Sequence, residues 1–268
     1  MQETIFDVDT GKGFNLSAAL YLKPNVPDEG IVIMCHGLLN NRFSKTLLGI
    51  IEGISYHALS VDFQGNGLSG GTTSYGNNEE EVENIRCIVS YVRKKLNRKV
   101  LCICGHSKGA ADVLLYASKY NDVPLIVSLS ARYDHTQIPP NRFTPEQFEE
   151  LQRKGSFVWV KYDNREYVIR QEDIKQITSL DMSVVKNIDK QKIRVLTVHG
   201  SKDKVIPVED AYIFDKLLGP EPYHKLVIVQ DAGHLYYDNM NHQKIMVEAI
   251  NSWLDENKSW SLNESSDI

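Results

Sequence analysis

The chain is poor in several things that would narrow its class at once. No apolar run approaches the roughly 18 residues that a membrane-spanning helix needs, so no membrane partner is expected. The opening residues, Met1 to Asp7, are acidic and strand-like, without the basic start and apolar centre of a signal peptide. Cysteines number only 4, and Cys35, Cys87, Cys102 and Cys104 all fall inside apolar strand-like or helical patterns. Loop cysteines would mark a disulfide framework; these read as reduced core thiols, and the expected location is cytoplasmic. A surplus of positive charge is missing too, with 30 Lys and Arg against 35 Asp and Glu and a net charge of -5. That argues against a nucleic-acid partner held by phosphate neutralisation. The densest basic cluster, Arg93-Lys94-Lys95 with Arg98 and Lys99, falls at a helix end, where cations suit the dipole.

What is present is a full-sized core. A hydrophobic share of 42% is ordinary for a globular chain. Apolar runs alternate with helical patterns from end to end, the signature of a mainly parallel sheet wrapped by helices. Glu3 to Val8 and Asn15 to Leu22 read as an edge hairpin turning at Gly11-Lys12-Gly13. Strands follow at Ile31 to Cys35, Tyr56 to Phe63, Lys99 to Cys104, Leu125 to Leu129, Ile193 to Val198 and His224 to Val229. Helices are expected over Ser44 to Gly53, Glu79 to Leu96, Ala110 to Tyr120, Val208 to Leu218 and Asn241 to Asn257. Between Arg132 and Asp189 the alternation breaks over a stretch too long for an ordinary connection. It contains a helical pattern at Thr144 to Lys154, two β-rich runs around the turn Asp163-Asn164-Arg165, and a second helix from Gln171. We read it as a lid.

Gly105-His106-Ser107-Lys108-Gly109 is the most informative stretch. It joins a buried strand to a buried helix, the context in which G-x-S-x-G places a serine on a strained turn at the positive end of a helix. A serine hydroxyl is a weak nucleophile and needs a base, with an orienting group behind that base. Downstream, His199-Gly200-Ser201-Lys202-Asp203 follows one strand and Asp231-Ala232-Gly233-His234 another. Ser107 is therefore the candidate nucleophile, His234 the base and Asp203 the orienter, with Asp134 as a rival orienter and a helix-capping role as the plain alternative for Asp203. Charge developing on a carbonyl oxygen needs two donors; the backbone N–H groups of Lys108 and Leu38 are the candidates. The Lys108 side chain opposes the helix dipole and reads as solvated, and Glu79-Glu80-Glu81 reads as a helix start. His36, His106 and His199 lie near the same edge but lack a metal-ligand spacing, so neither metal nor cofactor is expected.

Together these residues resemble the α/β-hydrolase superfamily. The likeness is to the S33 serine-aminopeptidase-like branch that includes bacterial cinnamoyl esterases, with plant members carrying a G-H-S-K-G-G elbow followed by a run like Leu114 to Tyr120. Ala110 and Ala131 stand where those relatives usually have glycine. The resemblance implies an α/β-hydrolase fold: a mostly parallel sheet of about eight strands flanked by helices, with a lid of helix, β-hairpin and helix. The expected organisation is core 1–131, lid 132–189, core 190–257 and a polar, frayed tail 258–268. The resemblance implies the same triad of Ser107, Asp203 and His234 but does not carry a substrate with it; our expectation from the triad is a small-molecule ester, cleaved through an acyl-enzyme. Phe157, Trp159 and Tyr162 on the hairpin, with Leu38 and Leu39 below and His106 and Leu235 alongside, suggest a small to medium apolar or aromatic acyl group. Acyl transfer, lyase chemistry or a ligand receptor on the same fold are the alternatives, and the oligomeric state is not legible.

Overall fold

The computed structural model describes residues 1–140, 142–162 and 165–264. β1 (Gln2–Asp9) and β2 (Asn15–Leu22) form the expected antiparallel hairpin. Next come β3 (Ile31–Cys35), α1 (Lys45–Gly53), β4 (His57–Val61), α2 (Asn78–Lys94), β5 (Val100–His106), α3 (Lys108–Tyr120) and β6 (Leu125–Leu129). The break in the pattern holds α4 (Pro145–Lys154), β7 (Ser156–Tyr162), β8 (Arg165–Arg170) and α5 (Gln171–Thr178), followed by a 3₁₀ segment at Met182–Asn187. β9 (Arg194–Gly200), α6 (Val208–Leu218), β10 (His224–Val229) and α7 (Met240–Glu264) complete the chain.

The main sheet has 8 strands in the order β1-β2-β4-β3-β5-β6-β9-β10, antiparallel at the β1 edge and parallel from β4 onward. Its central strands are buried on both faces, so period-2 alternation sends neighbours into different cores. Ile31, Ile33 and Cys35 face one layer with α2, α3 and α6, while Val32 and Met34 face the other with α1 and α7. Cys102 and Cys104 share the second layer, Cys35 lies in the first, and all four cysteines are free thiols. Ala110 and Ala131 are both fully enclosed in the first core, so the two extra methyl groups are absorbed as packing.

Parallel strands all point their carboxyl ends at one edge. The loops after β3, β4, β5, β6, β9 and β10 therefore converge, bringing together residues that are far apart in sequence. Arg42 and Asp62, both buried, close an ion pair that ties two of these loops together, and Asp62 also accepts from the Leu68 N–H at 2.9 Å.

The insertion has a core of its own. Thr144 and Gln147 form a capping box that starts α4, and Phe157, Tyr167, Ile169 and Ile177 pack with Tyr75 of the main body. One expectation fails at the other end of the chain. The helix does not stop at Asn257 but runs to Glu264, because Arg194 donates to Asn257 at 2.6 Å and lies over the Trp260 ring. Residues 265–268 of the expected frayed tail lie outside the described residues. Among the described residues no helix is long and apolar enough to cross a membrane.

Candidate active site

The turn after β5 fixes the geometry. Ser107 has φ 59° and ψ -119°, a strained conformation for a residue with a side chain. The turn is tight enough that a methyl on Gly105 would collide with the Gly109 carbonyl, which explains why small residues flank the serine. As the first residue of α3, Lys108 has an N–H with no partner inside the helix. The loop after β3 passes directly over the nucleophile, since a Cβ built on Gly37 would sit 2.9 Å from the Ser107 Cβ. Leu38, the second expected donor, follows at once and lines the same cavity as Ser107.

Three side chains from three loops meet here. His234 Nε2 lies 2.9 Å from Ser107 Oγ, and His234 Nδ1 lies 2.7 Å from Asp203 Oδ2. An ionised Asp203 only accepts, so Nδ1 carries the proton and Nε2 is left to accept from the serine hydroxyl. The Asp203 side chain is fully enclosed, and its other oxygen takes the N–H groups of Val205 and Ile206 at 2.8 and 2.9 Å. Burial alone would raise its pKa, but His234 and these two amides outweigh burial and hold the carboxyl below its usual range. The rival Asp134 is turned away, accepting from both the amide and the hydroxyl of Thr136.

The other histidines on this edge are supports. His106 is buried, and its Nε2–H donates to the His234 carbonyl at 2.8 Å; burial, then the neighbouring His234, push its pKa down to about 3. The sequence reading expected His106 to wall a pocket; instead it anchors the base. His199 donates to the Ile206 carbonyl at 3.0 Å and so steadies the loop that carries Asp203. His36 donates from Nδ1 to the Gly37 carbonyl at 2.8 Å and accepts the Phe63 N–H at 3.0 Å.

The Lys108 side chain departs from expectation. It is not solvated: its ammonium lies 2.8 Å from Glu81 and also donates to Asn77, with both charged side chains buried. Glu81, read from the sequence as part of a helix start, is the counter-ion of the residue next to the nucleophile. Beneath it, Asn78 donates to Asp112 at 2.7 Å, and burial first, then the charge of Glu81, push the Asp112 carboxyl well above its usual range.

The cavity beside Ser107 measures ≈ 70 Å³. Leu38, Tyr75, Arg132, His135, Arg142 and Ile206 are among the residues that line it, whereas Leu39, Trp159 and Leu235 do not. Leu39 borders a separate groove of ≈ 600 Å³ between the insertion and the loops after β3 and β4. Leu235 is exposed at the surface, Phe157 is consumed by the core of the insertion, and Trp159 packs its edge against Tyr75 and Phe143. The side chain of Tyr162 lies outside the described residues. Tyr75, Arg132, His135 and Arg142 were not found from the sequence as pocket residues. Only Arg132 sat near a signal, in the segment Ser130 to Asp134 that follows a buried strand.

Comparison with known proteins agrees with this architecture. The family model "Serine aminopeptidase, S33" matches residues 27–162. The "uncharacterized protein YqkD" of Bacillus subtilis (strain 168) is 25% identical over 254 residues, spanning 87% of this chain and 73% of its own. Among solved structures, Est1E of Butyrivibrio proteoclasticus with bound ferulic acid superposes at a TM-score of 0.74 and 22% identity, covering 94% of this chain and 98% of that one. The Pyrococcus furiosus esterase Pf2001 superposes at 0.68 and 17% identity, covering 95% and 90%. At such identities the solved structures establish the fold, while the family model spans half the sequence, nucleophile turn included. The chain belongs to the serine aminopeptidase S33 family and has the α/β-hydrolase fold.

Proposed function

We propose that this protein is a serine hydrolase that cleaves carboxylic esters through an acyl-enzyme. The observation that carries the proposal is the unbroken relay from Ser107 to His234 to Asp203, at 2.9 and 2.7 Å, built on a serine held at positive φ. In this reading Ser107 Oγ attacks the ester carbonyl while His234 Nε2 takes its proton. Asp203 stabilises the imidazolium that forms, and the N–H groups of Leu38 and Lys108 receive the oxyanion. His234 then protonates the leaving alcohol, and a water activated by the same imidazole releases the acid. The acyl group is small to medium with an apolar or aromatic stem, supported by Leu38, Ile138, Ile177 and Ile206 around the cavity. The insertion serves as the lid over it. Est1E and Pf2001, whose shared fold places them alongside, are consistent with ester chemistry.

A fluorophosphonate probe tests the reading directly. We expect stoichiometric labelling of Ser107, read by intact mass and peptide mapping, and its loss in Ser107→Ala and His234→Ala. Folded protein that stays unlabelled, and that turns over no 4-nitrophenyl ester of any chain length, would overturn the proposal.

A further inference from the structure

The cavity at Ser107 has a charged end for which ester chemistry alone has no use. Arg132, on the segment after β6, and Arg142, just ahead of α4, both line it. Arg132 donates to the Val205 carbonyl at 2.9 Å and Arg142 lies over the Trp159 ring at 5.9 Å, and among the described residues neither closes an ion pair. The two aspartates within electrostatic reach of Arg132 direct their hydrogen bonds elsewhere, Asp134 to Thr136 and Asp210 to the Tyr133 amide. Arg42, Arg93 and Arg98, by contrast, each close on an aspartate.

His135 lines the same cavity and supplies an independent observation. It is 9% exposed, and its Nε2 is buried without a hydrogen-bond partner among the described residues. The Arg132 backbone is the partner of this imidazole. A buried polar atom left unpaired costs free energy unless a ligand satisfies it. Burial first, then the Arg132 charge, hold this imidazole neutral down to about 4, so the site as it stands repels a further cation. An anion reverses that: it pairs with the guanidinium groups and supplies the counter-charge that lets Nε2 take a proton and donate. Tyr75 adds a hydroxyl whose pKa burial raises and both arginines pull back, which places both cations within electrostatic reach of one point.

The cavity is small, ≈ 70 Å³, and Ser107 and the charged residues line the same space, which suits a short chain between them. The geometry points to a carboxylate subsite: Arg132, Arg142 and His135 receive the free carboxylate of a short acyl chain whose ester carbonyl lies at Ser107. The substrates are then half-esters of short dicarboxylic acids, and hydrolysis yields the dicarboxylate and an alcohol. This inference rests on the ester-hydrolase reading above and sharpens it.

The test compares 4-nitrophenyl half-esters of glutaric acid with 4-nitrophenyl pentanoate, which matches the chain but lacks the charge. We expect kcat/KM to favour the glutarate ester by about tenfold or more, the worth of a charge-assisted pair. Arg142→Gln and Arg132→Gln should each cut that preference ratio by about tenfold. Pentanoate hydrolysed as fast as the half-ester overturns the subsite and leaves the esterase reading standing. Calorimetric titration with glutaramate, which keeps one carboxylate at the end of the chain, and with the uncharged pentanamide separates the two questions. Tighter binding of glutaramate, lost in Arg142→Gln, upholds the subsite even if neither ester is cleaved; equal binding of the two amides overturns it.

Discussion

Two polar clusters flank the nucleophile turn, and they are built to opposite ends. On one side Asp203 and His234 reach Ser107 from loops after β9 and β10, and the imidazole keeps one nitrogen facing the serine hydroxyl. On the other side Lys108, Glu81, Asn77, Asn78 and Asp112 gather between α2 and α3. The first cluster holds a proton that can move along a line. The second balances its charge internally, with Lys108 paired to Glu81 and Asp112 pushed toward its neutral form. Lys108 touches both: it follows the nucleophile directly in the chain, and its ammonium faces the scaffold. A single residue next to the nucleophile thus couples a reactive site to a rigid one.

The sharpest way to break this contrast is Asp203→Asn, which keeps the shape and removes the charge that sets the imidazole tautomer. Turnover of a 4-nitrophenyl ester should fall by about 10⁴-fold, with the far-UV circular dichroism unchanged. A loss below tenfold would mean that His234 is oriented by something else. On the scaffold side, Glu81→Gln combined with Asp112→Asn strips Lys108 of both carboxyl groups. Leaving a buried cation unpaired should cost about 3–5 kcal/mol in urea unfolding. Gly37→Ala tests the seam between the clusters, because the added methyl presses on Ser107 and displaces the loop carrying the Leu38 amide. Turnover should drop by about 10²–10³-fold, as when one oxyanion donor is lost.

The mildest test sharpens the charge balance. The Asp112 carboxyl is raised in the folded state by burial, then by Glu81. Stability it contributes is full below the unfolded aspartate value of about 3.9 and is lost as pH rises from there through the raised folded value. Asp112→Asn removes that dependence. Melting scans between pH 5 and pH 9 should therefore show the variant gaining on the parent protein as pH rises, and a pH-independent difference would refute the neutral form of Asp112.

The chemistry-bearing loops were legible because each follows a continuous apolar strand, and parallel strands deliver their carboxyl ends to one edge. Ser107, Asp203 and His234 could be placed together on that ground before any coordinates. Partners across helices were not legible. Glu81 stands 27 residues from Lys108, and its place in the first turn of a helix gave it a sufficient local explanation. The hairpin aromatics misled for a related reason. Alternation shows that Phe157 and Trp159 share a face of β7, but not whether that face meets a cavity or the insertion's own core. Arg132, His135 and Arg142 converge only through the path of the segment between β6 and α4, which carries no periodic signal. The end of α7 was missed because its polar sequence hides the single ring, Trp260, that Arg194 covers.

The bond from His106 to the His234 carbonyl has a mechanical consequence. His106 immediately precedes Ser107 in the chain, so base and nucleophile are gauged against each other across one peptide unit. Neither His106 nor His234 belongs to the insertion's own core, so the working distance between serine and imidazole is set without it.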